Sequence, residues 1–514
     1  MATRRTWLKR TLIGGGVALG LLLLWSVWAL FGPLGNGIPV GPQTTVLDGP
    51  LDAAGYVDYA AAYREASRIP PAENAAVPIF RVTQAEVRRS IPAPQYAAAC
   101  EDLGVSTEPD PATQFPRVSS VPPPEGWEDA TVDGRTRTWN DVVNTLWERP
   151  WAAADHPHVA ALLRGGDAAF GVLREGLDRP GYWFFPDYGG PLYAHRLPMV
   201  QECRDVARSL LARAMLRVGE GDFDGAAADI DRTRTLGRAV AKSPFLIGAL
   251  VAVAVDATAW RAEVELLHVA EEAAFLRRRL AALDAYDADV HRRRMAVTLG
   301  GIERYSALDL IQLVDRERRG IVPPGSSNFL GVSLTGLPAA AERVVVRRVD
   351  LAETSRRVNR FTDAAERAFE AGSEEAADEA VEGIRPESFA GNVFGRLSAD
   401  KAGRRLASLV LPAVGQSAVV AFRAKTKREL LRVLAAGRLF RIETGRPPAM
   451  PEDLVPKYLP KWPTDFRDGR PLRHRTFNGV WSVYGLAPTV DRPPPDDLPD
   501  YLSIEFPRRP READ

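Results

Sequence analysis

The longest uncharged apolar stretch of the chain lies near its N-terminus. From Thr11 to Phe31 it reads TLIGGGVALGLLLLWSVWALF, 21 residues, and about 20 helical residues cross a bilayer core. Arg4, Arg5, Lys9 and Arg10 precede this run, Trp25, Trp28 and Phe31 crowd its far end, and Gly32, Pro33, Gly35 and Gly37 follow. Basic residues on one side alone place that side in the cytoplasm, and the aromatic residues suit a membrane interface. A secretory signal peptide has a shorter apolar core, about 7 to 15 residues, and a small-residue cleavage site; only Gly35-Asn36-Gly37 stands there. The pattern predicts a cytoplasmic tail over residues 1–10 and an uncleaved, single-pass transmembrane helix over residues 11–31. The bulk of the chain is then extracytoplasmic, tethered to the bilayer of a bacterial inner membrane.

The rest divides into three parts. Residues 32–150 are Pro-rich, with short helical pieces at 56–66 and 84–89 and too many prolines over 109–126 for a helix interior or a central strand; they predict an irregular wrap. Residues 151–425 carry the 3.6 period of helices. Asp155 and Pro157 suit a helix start, and Val159, Leu162, Leu163, Phe170 and Leu173 follow. A helix over 200–218, a turn over 219–225 and a helix over 226–241 form a pair like a tetratricopeptide unit. Ser243 and Pro244 suit the start of a further helix, apolar on every side from Phe245 to Val255 and interrupted by Asp256. That run is too short to span a membrane, and an all-round apolar helix is a core helix. Helix continues over 268–287 and in pieces to 313. Residues 320–336 predict a loop and 339–384 a solvated, charged helix surface. The apolar tract 406–425 is kinked by Pro412 and Gly415.

Residues 426–514 change character. A helix over 426–443 ends at Gly445, with Pro447 and Pro448 preventing its continuation. Residues 470–476, the dipeptide Asn478-Gly479 and residues 480–484 predict a β-hairpin, because Asn-Gly accepts the positive φ of a two-residue turn; residues 501–506 supply a third strand. The fold class is mostly α, a helical bundle ending in a small α+β module. The tract Glu443-Thr444-Gly445-Arg446-Pro447-Pro448, then Leu454-Val455-Pro456-Lys457-Tyr458-Leu459-Pro460, Pro463-Thr464-Asp465, Asp468-Gly469-Arg470-Pro471-Leu472 and Val483-Tyr484-Gly485 resembles the C-terminal domain of type II secretion pseudopilins. The resemblance implies a helix packed on a short antiparallel sheet. The pseudopilin processing site is absent, the apolar N-terminal run is about 400 residues away in sequence, and Leu486-Ala487-Pro488 stands where the family's calcium loop begins. Asp491, Asp496 and Asp497 alone fall short of the six to eight oxygens calcium takes. Leu51-Asp52 with Gly55-Tyr56-Val57-Asp58-Tyr59, Glu73-Asn74-Ala75-Ala76-Val77, Pro150-Trp151 with Asp155-His156-Pro157, and Leu409-Val410-Leu411-Pro412-Ala413-Val414 resemble a family of large membrane-anchored bacterial proteins. That likeness implies a shared architecture without a known activity.

Composition narrows the function. Lys+Arg and Asp+Glu are both 66 in 514 residues, and a neutral chain lacks the excess cations that bind nucleic acid. Only seven of the bases are Lys. Cys100 and Cys203 predict either one long-range disulfide or two buried thiols. Glu220, Asp222, Asp224, Gly225 and Asp231 sit at positions 1, 3, 5, 6 and 12 of a calcium-loop template, but position 12 is not the bidentate Glu, which favours a plain turn. His156 and His158 flank Pro157 too sparsely for a four-ligand zinc site. No motif for a serine hydrolase, zinc peptidase, phosphate loop or dinucleotide fold occurs, and no catalytic residue, metal or cofactor is assigned. The densest aromatic stretch, with Tyr182, Trp183, Phe185 and Tyr188 followed by His195 and Arg196, is the candidate binding surface; the other reading is that these rings seal the core. The expectation is a non-catalytic membrane-anchored scaffold or binding protein. The alternatives are a component of a secretion or envelope assembly, or an extracytoplasmic hydrolase using His195 or His158.

Overall fold

The computed structural model describes residues 37–132, 135–186, 190–323, 345–370, 400, 403–404, 406, 414–477, 479–485 and 503–506. The apolar run 11–31, Tyr188, the charged tract beyond 370, Pro412 and the acidic residues 491–497 lie outside them. Among the described residues no helix is long and apolar enough to cross a membrane.

The Pro-rich part is more ordered than its composition predicts. It holds α1 (Tyr59–Ser67), α2 (Ala76–Ser90) and α3 (Ala93–Leu103), then a two-stranded ribbon of β1 (Ala130–Val132) and β2 (Arg135–Arg137), and α4 (Trp139–Thr145). The prolines start helices instead of breaking them. Pro92 is the N-cap of α3, and Pro94 occupies its first turn, where an N–H has no helical partner to lose. Ile79, Phe80 and Val82 of α2 are fully buried. Asn74 fastens this part to the body: its Nδ2 donates to the Trp183 carbonyl at 2.8 Å and its Oδ1 accepts from the Trp183 N–H at 2.9 Å. The expected wrap is therefore part of the core.

α5 (Pro157–Gly165) and α6 (Asp167–Gly176) come next. Asp155 does not cap α5; its carboxylate accepts from Ala152 N–H at 2.8 Å. The two helices separate at Gly166, where a Cβ would collide with the Pro116 ring.

The centre of the body is the trio α7 (Pro198–Gly219), α8 (Phe223–Val240) and α9 (Leu246–Val269). The sharp turn between α7 and α8 is closed by Asp222, which accepts from Gly225 N–H at 2.9 Å. Leu246, Ala249, Val251, Val253 and Val255 of α9 are at most 5% exposed, but Ile247 is 37% exposed, so the apolar run is buried on most of its sides and not on all. Ser243 does not cap α9; Glu303, from a distant turn, accepts the Leu246 N–H at 2.6 Å.

Around the trio lie α10 (Ala273–Ala285), α11 (Val290–Thr298), α12 (Arg304–Arg318), α13 (Leu351–Glu370) and the long α14 (Val414–Thr444). The stretch expected to be a solvated surface is partly internal: Ala365, Ala368 and Phe369 of α13 are at most 1% exposed. α14 runs straight through Gly415 and ends at Gly445, which has φ +76°.

The terminal sheet is antiparallel, in the order β3 (Arg473–Phe477), β4 (Val480–Tyr484), β5 (Ser503–Phe506). Phe477 pairs with Val480, the register of a two-residue turn, and Gly479 has φ +75°. The sheet sits on α14, close enough that a Cβ at Gly437 would overlap the Phe506 ring. One apolar cluster runs from Trp139 and Trp151 through Leu211, Leu266 and Leu434 to Trp481, Val483 and Phe506. The α+β end is thus continuous with the helical body.

Candidate functional site

The aromatic stretch does not present its rings to solvent. Tyr182, Trp183 and Phe185 are 7%, 2% and 2% exposed. The His195 ring stacks on Phe185 at 4.4 Å, and its Nε2 lies 3.1 Å from the Pro186 carbonyl. Arg196 is exposed, and Tyr188 lies outside the described residues. His156 and His158 pack against Trp139 at 5.8 and 5.2 Å. Cys100 and Cys203 are both buried and not joined; burial pushes both thiols up. The acids of the calcium template disperse onto arginines. Asp224 pairs with Arg278 at 2.8 Å and Asp231 with Arg279 at 2.6 Å, while Glu220 pairs with Arg164. Among the described residues no group of three His, Cys, Asp or Glu side chains is placed to hold a metal.

A different feature has the makings of a site. α9 and α14 lie side by side and run in the same direction: the start of α9 shares a cluster with Phe422, and its second half shares another with Leu430–Phe440. Where their side chains part, with α10 closing one side, a cavity of about 280 Å³ opens. Its apolar walls include Leu250, Val253, Leu283 and Leu431, and its polar lining includes Asp256, Trp260, Tyr286, Arg423 and Lys427. The spacing explains the arrangement. Asp256 and Trp260 are four apart on α9, and Arg423, Lys427 and Leu431 are four apart on α14, so each set forms one stripe along its helix.

Several of these polar groups lack hydrogen bonds. Asp256 Oδ2 accepts from the Tyr286 hydroxyl at 2.9 Å, and Oδ1, which makes no hydrogen bond, is ion-paired with the Arg234 Nε at 3.9 Å. Trp260 Nε1 is buried and also unbonded. Lys427 has its ammonium 5.5 Å from the Trp260 ring centroid, and among the described residues neither Lys427 nor Arg423 has an ion-pair partner. Burial pushes the Lys427 ammonium down. Burial pushes Asp256 up, but the His291 ring, Arg234 and the Tyr286 hydroxyl outweigh it and hold the carboxyl below its ordinary value. Burial and the Asp256 charge keep the Tyr286 phenol protonated.

Next to the cavity, a buried ionic network shows the opposite behaviour. Glu263 accepts from Arg234 at 3.0 Å and from Arg279 at 3.0 and 2.7 Å. Asp229, fully buried, accepts from Arg213 at 2.9 and 2.6 Å, from Arg217 at 2.8 Å and from Arg232 at 2.9 Å. These carboxylates are saturated by guanidinium forks, the arrangement that suits arginine. The cavity residues are not.

The hydrolase expectation asks for a histidine beside an acid in a pocket. His291 Nε2 stands 3.7 Å from Asp256 Oδ2, beyond hydrogen-bond length, and its ring is 1% exposed, behind the cavity wall. The cavity lining includes no Ser, Thr or Cys to serve as nucleophile.

Asp256, Trp260, Tyr286, Arg423 and Lys427 were not singled out by the sequence pattern as site residues. The available signals were Asp256 interrupting an apolar run and Lys427 being one of seven lysines. No family model matches the chain, and no curated protein or solved structure does so either.

Proposed function

We propose that this protein is a membrane-tethered binding protein acting outside the cytoplasm. Residues 11–31 hold it in the lipid bilayer, and the cavity between α9, α10 and α14 holds a small ligand. One observation carries the reading: a cavity of about 280 Å³ with apolar walls is lined by four cationic residues, Arg234, Arg423, Lys427 and Arg428, and by one carboxylate, Asp256. An excess of cations among apolar walls is costly to hold without a counter-group, so this amphipathic cavity supports a site completed by a ligand. An assembly role for the C-terminal end has a separate support. α14 lines the cavity with its first half and seats the sheet with its second, so the module that would meet partners shares a rigid element with the ligand site.

Native mass spectrometry of the full chain, extracted from its own membranes in mild detergent, tests this. Ala257 lines the cavity, and Ala257→Trp fills it. The wild type is expected to carry an added small-molecule mass that Ala257→Trp lacks. Equal masses for the two proteins, both folded, would contradict the reading.

A further inference from the structure

The four cations around the cavity are not equivalent. Arg234 donates to Glu263 at 3.0 Å and is ion-paired with Asp256 at 3.9 Å. Arg428 pairs with Glu429 and donates to the Tyr286 carbonyl at 3.0 Å. Among the described residues, Arg423 and Lys427 have neither an ion-pair partner nor a hydrogen bond. Their nitrogens keep accessible surface, whereas the unbonded Trp260 Nε1 is enclosed. The two stand four residues apart on α14, on one face and one turn from each other. Like charges at that spacing repel. Asp256 does not neutralise them, because its two oxygens are taken by Arg234 and the Tyr286 hydroxyl.

We infer that the cavity takes a small organic anion, a monocarboxylate with an apolar body, whose carboxylate is held by Lys427 and Arg423; this rests on the binding reading above. The carboxylate supplies the counter-charge that these two residues lack, through charge-assisted hydrogen bonds from an ammonium and a guanidinium. The apolar body lies against Leu250, Val253, Leu283 and Leu431. Other classes fit less of the lining. A cation adds to the positive charges already present and meets no free carboxylate. A neutral apolar molecule leaves Lys427 and Arg423 among apolar walls without a counter-charge. A phosphate ester presents three strong acceptor oxygens to walls that are mainly leucine, valine and alanine. The volume, about 280 Å³, suits a compact body and not a long acyl tail.

Calorimetry of the full chain in detergent, cleared of carried ligand by dialysis, separates these classes. The probes are isovalerate, phenylacetate, isopentylamine, isopentanol and isopentyl phosphate. At least one of the two carboxylates is expected to bind, with the amine, the alcohol and the phosphate each weaker by about tenfold or more. Lys427→Met and Arg423→Met, each checked for fold by circular dichroism, are each expected to weaken the carboxylate by about tenfold or more. Where one of them does not fold, the other carries the comparison, and the probe series on the wild type needs neither. The amine, the alcohol or the phosphate binding as tightly as the carboxylates overturns the monocarboxylate and leaves the binding reading standing. Unchanged carboxylate affinity in a folded variant overturns the role given to that residue. No heat from any probe also overturns the monocarboxylate. The binding reading falls with it only if the mass comparison with Ala257→Trp shows no carried ligand.

Discussion

Lys427 is the residue at which function and stability conflict. Its ammonium loses water on burial, and the attraction of the Asp256 charge does not make up for that loss. Removing such a group relieves its desolvation, so Lys427→Met should stabilise the ligand-free protein by roughly 1 kcal/mol. The effect has a definite dependence on pH. The folded protein holds the Lys427 pKa below 10.5. Between that lowered value and 10.5 the unfolded chain binds a proton that the folded chain has released, so wild-type stability rises with pH across that window. The advantage of Lys427→Met should therefore be largest near neutral pH and shrink as pH rises toward 10.5, read from urea midpoints of the two proteins in parallel. An advantage that grew with pH would contradict this placement of the ammonium. The residue pattern gave partial notice of the site. Asp256 was visible as a charge ending an apolar run, but its meeting with Lys427 spans about 170 positions of chain, and no local period encodes a contact of that range.

At the scale of elements, α7 and α8 are clamped by Asp229. Three guanidinium groups converge on this one carboxylate, which has no exposure to water. Removing it leaves three crowded cations with no common counter-charge. Asp229→Ala should cost about 3–5 kcal/mol, the range for breaking a buried ion pair from one side, and lower the thermal midpoint; a change below about 1 kcal/mol would show that the arginines relax to other partners at little cost. The helix pair itself was legible in the sequence, because an Asp222-capped turn and two apolar stripes are local signals. So was the hairpin, where Gly479 supplies the positive φ. The helices of the Pro-rich part were legible only in part. Two short pieces were expected where α1 and α2 lie, but the full length of α2 and the whole of α3, which starts at Pro92 and Pro94, were not. The start of α9 misled for another reason: Glu303 caps it from about 60 residues downstream, and Ser243 was only the nearest plausible residue.

Over the whole molecule, the helical body and the terminal sheet share one core, since a single apolar cluster links Trp139 to Phe506. Truncating the sheet would expose Leu434 and Leu439 of α14, so a partner search needs the intact chain. Topology is the second property at this scale. With four basic residues before the apolar run, protease added to spheroplasts should degrade the body, and the same protease on intact cells should spare it. Protection in both preparations would place the body in the cytoplasm. The most direct measurement for the account is an experimental density map of the full chain, purified from its own membranes with no ligand added, at side-chain resolution around Asp256 and Lys427. The account predicts density larger than a water molecule in the cavity, against Lys427 and along Leu283 and Leu431. A closed cavity with Lys427 ion-paired directly to Asp256 would contradict it.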